Sequence, residues 1–314
     1  MSDGVIASDA GVPDLAAQVD PDTAAWVNTT AGRRLATGTR RFGRTLRDPG
    51  VAIPAAILVL LVLACFAGPA LFGVPNPTTG NLQQYLKPLG TPGHLLGTNQ
   101  LGNDMLSRML YGGRVSIEIG LAATAISLVI GVALGAFCGY LGGAADAIMM
   151  RILDVLFAFP NIVLAMAMAA YLGPSVMHTI WAISVFGVAG FGRLARAQTV
   201  KIRQLDYVVA ARSGGASTWR IVTTHIVPGI SRPLMTYALI TIGHAMLIEA
   251  GLSYLGLGVP IPQPSWGNLI SSAQNYVVQA PQLLIMPAVA LFVTIASINL
   301  LADGLGRRLA VDRG

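Results

Sequence analysis

Charged residues leave long apolar gaps along this chain. Residues 51–74 hold 24 positions without Asp, Glu, Lys or Arg, and residues 119–145 hold 27. Residues 155–192 form a further charge-free run of 38. About 20 helical residues cross a hydrocarbon core of roughly 30 Å, so a run of that length supplies two crossings. Gly173-Pro174-Ser175 is the turn signal that divides it into two. Residues 233–259 follow, interrupted only by Glu249, and residues 283–302 close the series with Pro287 inside. The pattern predicts six membrane-spanning helices and no strand.

Composition points the same way. Of 314 residues, 54% are apolar and 11% charged, against about 25% charged in ordinary soluble domains. A soluble enzyme, a disordered protein and a disulfide scaffold are excluded. Cys65 and Cys138 lie inside apolar runs and read as small hydrophobes rather than as a disulfide or metal pair. The first fifty residues are polar, acidic and then basic, and no cleavable signal peptide is read in them. They are expected to form a flexible cytoplasmic tail.

The net charge of +6 matters through its placement. Seventeen of the 20 Lys and Arg residues fall in the tail, the 146–154 turn, the 193–232 loop and the C-terminus; the exceptions are Lys87, Arg108 and Arg114. Basic residues collect on the cytoplasmic side of a membrane protein, so both termini are expected there. Spread over four juxtamembrane segments, these residues suit anionic lipid rather than a nucleic acid. The expected organisation is a tail over 1–50, a first span over 51–74, an extracytoplasmic segment over 75–114, a five-helix core over 115–304 and a cytoplasmic C-terminus over 305–314.

Chemistry is scarce. The G-x-x-x-x-G-K-[ST] phosphate loop, H-E-x-x-H and G-x-S-x-G are all absent, and the four histidines show no metal-ligand spacing, so no metal site is expected. Gly131, Gly135, Gly139 and Gly143 repeat the small-xxx-small spacing that lets membrane helices approach closely. Two acids lie within or beside spans, where an acid is costly. Asp154, beside Arg151, is expected to start a helix or form an ion pair, with a translocation or subunit-interface role as the alternative. Glu249 is expected to face either a water-filled cavity or another subunit.

Residues 203–229 read RQLDYVVAARSGGASTWRIVTTHIVPG. Asp206 is placed to cap a short helix carrying Tyr207, Val208, Ala210, Ala211 and Arg212. Gly214-Gly215 breaks it, and Ile221, Val222 and Ile226 mark a second apolar pattern expected to end at Pro228. A short helix with small surface residues suits insertion into a groove of a partner protein.

At this loop the chain resembles the membrane permease subunits of bacterial ABC importers, whose signature is E-A-A, three residues, G, nine residues, then I-x-L-P. Ala210, Ala211, Gly215 and Pro228 fall in register; Val209 stands in place of the glutamate, with His225 and Val227 at the other two apolar positions. HLLGTNQLGNDMLSRMLYGGRVSIEIG from His94, LSYLGLGVPIPQPSWGNLI from Leu252 and INLLADGLGRRL from Ile298 resemble the second permease of the dipeptide/oligopeptide/nickel subfamily, with Asn99 and Asn103 replacing the acidic and basic residues usual there.

The resemblance implies an all-α polytopic protein of the bacterial inner membrane, with a coupling helix between the fourth and fifth spans. It implies half of a pore, paired with a related permease. Two cytoplasmic ATPases, which bind ATP and Mg, would dock on the loops, and an extracytoplasmic binding (lipo)protein would deliver the substrate. Asp206, Tyr207, Ala210, Ala211, Arg212, Gly215 and Pro228 would form the ATPase-coupling site. Asn103, Asp104, Arg108 and Trp266 are expected on the extracytoplasmic rim. The cargo would be dipeptides or longer peptides, with nickel, glutathione or haem as alternatives, and the chain would hold no cofactor and catalyse no covalent chemistry. An ion-coupled transporter would want paired repeats and midplane charges, and an intramembrane enzyme a nucleophile–base pair; neither pattern is visible.

Overall fold

The structure, a computed structural model, describes residues 48–311 of the chain. The expectation of a flexible tail therefore lies almost wholly outside the described residues. The main elements are all helical. They are α1 (Pro49–Leu71), α2 (Met105–Leu141), α3 (Gly143–Ala158), α4 (Asn161–Leu172), α5 (Val176–Ile202), α6 (Asp206–Ser213), α7 (Thr218–Ile221), a widened π turn (Val222–Ile226), α8 (Val227–Tyr254), α9 (Trp266–Ala273) and α10 (Gln282–Val311).

Five helical stretches are long and apolar enough to cross a membrane: α1, α2, α5, the run Thr218–Tyr254 that joins α7 to α8, and α10. The sixth crossing is a broken one. Helices α3 and α4 pass the same test only as a pair, bent by 87°. Proline explains the bend. Phe159 and Pro160 are extended (φ −92°, ψ 137° and φ −56°, ψ 131°), because Pro160 supplies no N–H and disfavours helix in the residue before it. The expected division at residues 173–175 is present, with Gly173 ending α4 and Ser175 preceding α5. Two expectations are corrected. The 146–154 segment is helix rather than turn, and the third crossing starts at Gly143 and not at 155.

Helix α2 has 37 residues, a rod of about 55 Å at 1.5 Å per residue. It starts at Met105, inside the segment expected to be extracytoplasmic, so part of that segment forms its first turns. Lipid supplies no hydrophobic drive between helices, so close backbone approach holds them together. Here the glycine series does this. A Cβ on Gly131 would lie 2.6 Å from the Phe191 Cβ, one on Gly135 would collide with the Gly192 carbonyl, and one on Gly139 would sit 3.2 Å from the Arg196 Cα. Three turns of α2 thus lie directly on the backbone of α5. Gly143 takes no part, having nothing within 4 Å.

The bundle has two dressed ends. Where α2 begins, residues 72–104 and 255–281 fold over it, with Tyr85 edge-on to Tyr276 at 6.5 Å. Where α2 ends, α6 and α7 pack against it, and Trp219 stacks on Phe137 at 5.3 Å. Both cysteines are free, Cys65 buried and Cys138 half-buried.

Candidate functional site

The loop between α5 and α8 is anchored on one side and open on the other. Arg203, just past α5, donates from Nη1 to the carbonyls of Gly139 (2.8 Å) and Tyr140 (3.4 Å). Those acceptors are among the last carbonyls of α2, which no helix bond satisfies. From this clamp the chain enters α6. Leu205 occupies the cap position and makes no side-chain cap bond. The expected capping by Asp206 is therefore corrected: it is the first helical residue, where its charge complements the positive end of the helix.

Val208 is the one buried residue of α6. It joins Val132, Ala136, Ala195, Ile221, Val222, Ile226 and Ile230 in one core, with Ala211 and Ala216 packed against it. The opposite side of the loop presents Tyr207, Val209, Ala210, Arg212, Gly214 and Gly215 to the exterior. Gly215 N–H donates to the Arg212 carbonyl and Ala216 N–H to the Ala211 carbonyl, both at 3.1 Å, and Gly215 adopts φ +79° with nothing within 4 Å of a hypothetical Cβ. The turn thus requires a glycine for its dihedral, not for room.

Ser217 caps α7 through Arg220 N–H. Pro228 does not end the apolar pattern, contrary to expectation. It stands second in α8, directly after the widened π turn, and the helical path continues from Thr218 to Tyr254.

Both intramembrane acids have partners within this chain. Asp154 accepts from Arg193 Nη2 of α5 at 2.6 Å rather than pairing with Arg151, and that guanidinium lies 4.0 Å over the Phe157 ring. Glu249 faces neither a cavity nor another subunit. It is fully buried within this chain, accepting from Ser116 Oγ of α2 (2.9 Å) and Ser253 Oγ (2.7 Å). Ser116 Oγ in turn receives Trp266 N–H at 3.2 Å, and Ser253 Oγ receives Val259 N–H at 3.1 Å. The carboxylate ties α2 and α8 to the segment leading into α9.

The residues expected on the rim are mostly interior. Trp266 is 1% exposed, its Nε1 donating to the Met109 carbonyl at 3.0 Å. A Cβ on Gly113 would lie 2.5 Å from that indole, so the glycine makes its seat. Asn103 and Arg108 are buried as well. Arg108 donates to the Pro77 carbonyl at 3.0 Å. Asp104 caps α2 through Ser107 N–H (2.7 Å) and pairs with His94 Nδ1 (2.9 Å). Arg108 and the Asp104–His94 pair fasten residues 75–104 onto the start of α2; the outer surface is made by their neighbours.

Two features escaped sequence reasoning. Asp146 takes both Nε and Nη2 of Arg196, at 2.6 and 2.7 Å, fixing α3 to α5 fifty residues away. A cavity between α2, α5 and α8 also gathers Thr124, Ser127, Tyr237, Thr241 and His244. The four histidines look scattered along the chain, and only the helix packing shows that one of them stands in a polar group. No metal-holding cluster of His, Cys, Asp or Glu occurs among the described residues.

The family model described as "Binding-protein-dependent transport system inner membrane component" matches residues 131–311. The chain is 39% identical to a glutathione transport system permease protein of Pectobacterium atrosepticum, over 86% of this chain and 89% of that protein. It is 38% identical to a probable D,D-dipeptide transport system permease protein of Escherichia coli, covering 82% and 86%. A di/tripeptide transport system permease protein of Pseudomonas aeruginosa is also 38% identical, covering 67% and 70%.

Proposed function

The chain belongs to the family of binding-protein-dependent transport system inner membrane components, and from that premise we propose that it is the permease half of an ATP-driven importer of short peptides. It is a multi-pass protein of the bacterial inner membrane. A related permease completes the pore, two ATP-binding subunits dock on the 203–229 loop, and an extracytoplasmic binding protein delivers cargo. ATP and Mg belong to the ATP-binding subunits; this chain contributes motion and a path, not covalent chemistry.

One observation carries this reading: the α6–α7 loop is fixed to the bundle by Arg203 and Val208 while Tyr207, Val209, Ala210 and Gly215 are left uncovered. Exposed apolar side chains on a protruding, water-facing loop mark a partner site. The placement of 17 basic residues orients that loop to the cytoplasm, where ATP is found. The peptide assignment rests on the relatives, whose names specify glutathione, D,D-dipeptides and di/tripeptides; all are short amide-linked chains.

Co-expression with candidate ATP-binding subunits, a second permease and a binding protein from the same genome tests the assignment. The wild-type chain is expected to co-purify with the ATP-binding subunits and to import labelled dipeptide. Ala210→Glu, on the uncovered face, should insert normally into the membrane and lose that co-purification, because a carboxylate buried unpaired in the contact costs several kcal/mol. Wild-type docking and uptake by Ala210→Glu would overturn the coupling role.

A further inference from the structure

The polar cavity lies about halfway along three membrane helices, at residues 123–127 of α2, 183–187 of α5 and 237–248 of α8. Its volume is about 200 Å³. Apolar residues form most of the wall. Thr124 is 4% exposed, and its Oγ1 has no hydrogen-bond partner. A buried hydroxyl left unpaired is unfavourable unless something outside the chain completes it. His244 stands on the open side of α8, next to Ile240 on the same face. A histidine at this depth belongs beside a polar path, since lipid offers it nothing to bond.

The chemistry of the wall selects its occupant. The Thr124 hydroxyl can donate and accept, and the His244 ring can bond through its nitrogens. Thr241 Oγ1 donates to the Tyr237 carbonyl at 2.8 Å and keeps its accepting lone pair, and the lining contains no Asp, Glu, Lys or Arg. A charged chain terminus finds no counter-ion there. An amide finds both of its partners.

We propose that this cavity is where the chain touches its cargo, taking the amide backbone of a short peptide through Thr124, Thr241 and His244. The proposal rests on the import reading above and specifies the contact. Because these polar groups address the N–H and C=O of the backbone and the rest of the wall is apolar, the contact is indifferent to cargo side chains.

The test uses the complete transporter in liposomes with saturating binding protein. Two probes are compared: trialanine, and its analogue with the second of its two peptide amides replaced by an ester, which lacks one N–H. The binding protein is the same throughout, so its own preference cancels between wild type and variant. Thr124→Val combined with His244→Leu is expected to shrink the amide-over-ester uptake ratio by about fivefold, the equivalent of one neutral hydrogen bond. Thr124→Ser, which keeps the hydroxyl, should leave the ratio at its wild-type value.

Binding-protein-stimulated ATP hydrolysis reports folding and coupling separately. Its absence in the wild-type complex would refute the import reading rather than the cavity. If the double variant loses it, the ratio is read in Thr124→Val alone, with the same expectation. An unchanged ratio in a variant that still hydrolyses ATP and transports would overturn the proposal. So would Thr241→Cys closed to a charged methanethiosulfonate in the assembled complex, since the neighbouring permease would then fill the space. Modification of that cysteine, slowed by trialanine-loaded binding protein with ATP, is the expected result.

Discussion

Glu249 and Ser116 lie 133 residues apart in the chain and meet at 2.9 Å. The bond joins two membrane helices, and the same serine receives Trp266 N–H, so one hydroxyl registers three segments. A buried acceptor stripped of its donor costs about 1–3 kcal/mol. Ser116→Ala is therefore expected to lower the thermal midpoint of the purified protein, and Glu249→Leu to lower it more, by removing both serine contacts. Protease cleavage within residues 255–265 should rise in the same order. Cleavage and melting unchanged in Glu249→Leu would show that the carboxylate does not hold this segment.

The two ion pairs between α3 and α5 should differ in weight. Asp154 and Arg193 are 48% and 39% exposed, and pairs of that kind contribute about 0–1 kcal/mol. Asp146 is 15% exposed and holds its arginine through two bonds, where charge-assisted bonds contribute about 1.5–3 kcal/mol. Asp146→Ala should destabilise the detergent-solubilised protein clearly more than Asp154→Ala. Melting curves give the comparison, and the reverse order would refute it.

The glycine face of α2 makes a steric prediction. Gly135→Leu places a side chain where the Gly192 carbonyl already lies, and overpacking of this kind costs about 1–3 kcal/mol or more. Expression should fall and the remaining protein should aggregate on solubilisation. Gly143→Leu has open space around its Cβ and a positive φ of 61°, so its cost is confined to the dihedral. Size-exclusion profiles separate the two.

At Gly215 the dihedral and the volume also come apart. The position has room but φ is +79°. Asn tolerates this region far better than β-branched residues do. Gly215→Asn should keep most docking of ATP-binding subunits, and Gly215→Val should lose most of it. Equal behaviour of the two would mean that the turn itself does not set the docking surface.

Sidedness follows from the charge asymmetry. Val278→Cys and Leu82→Cys, at highly exposed positions of one end, should react with an impermeant maleimide on spheroplasts. Trp219→Cys at the opposite end should not. Labelling at position 219 from outside would invert the orientation.

Long charge-free runs were enough to read the helical class, because burial in lipid leaves its mark on every residue of a span. The 203–229 loop was legible for the same local reason: Gly214-Gly215 breaks a helix wherever it stands. The placement of polar groups was not legible. Trp266 and Arg108 look like surface residues in sequence, yet Gly113 opens a pocket for the indole, and the Pro77 carbonyl reaches the guanidinium from 31 residues away. Glu249 was found but misplaced, since its serine partners are common residues that carry no signal until helices pack. Pro160 was visible throughout. Its neighbours are so apolar that the run reads as uninterrupted, and only the backbone reveals the 87° bend.

The unbroken helical path from Thr218 to Tyr254 has a mechanical consequence. Thirty-seven residues make a bar of about 55 Å, with Trp219 near one tip, His244 along its length and Glu249 close to the other tip. A tilt of about 5° imposed at the first tip sweeps the second by roughly 5 Å if the bar stays stiff. That exceeds the reach of a hydrogen bond, so the carboxylate would be pulled from Ser116 before the bar had turned far. The wide turn at Val222–Ile226 is the place where such a bar gives first. Its compliance thus determines how much of a push is delivered and how much is absorbed.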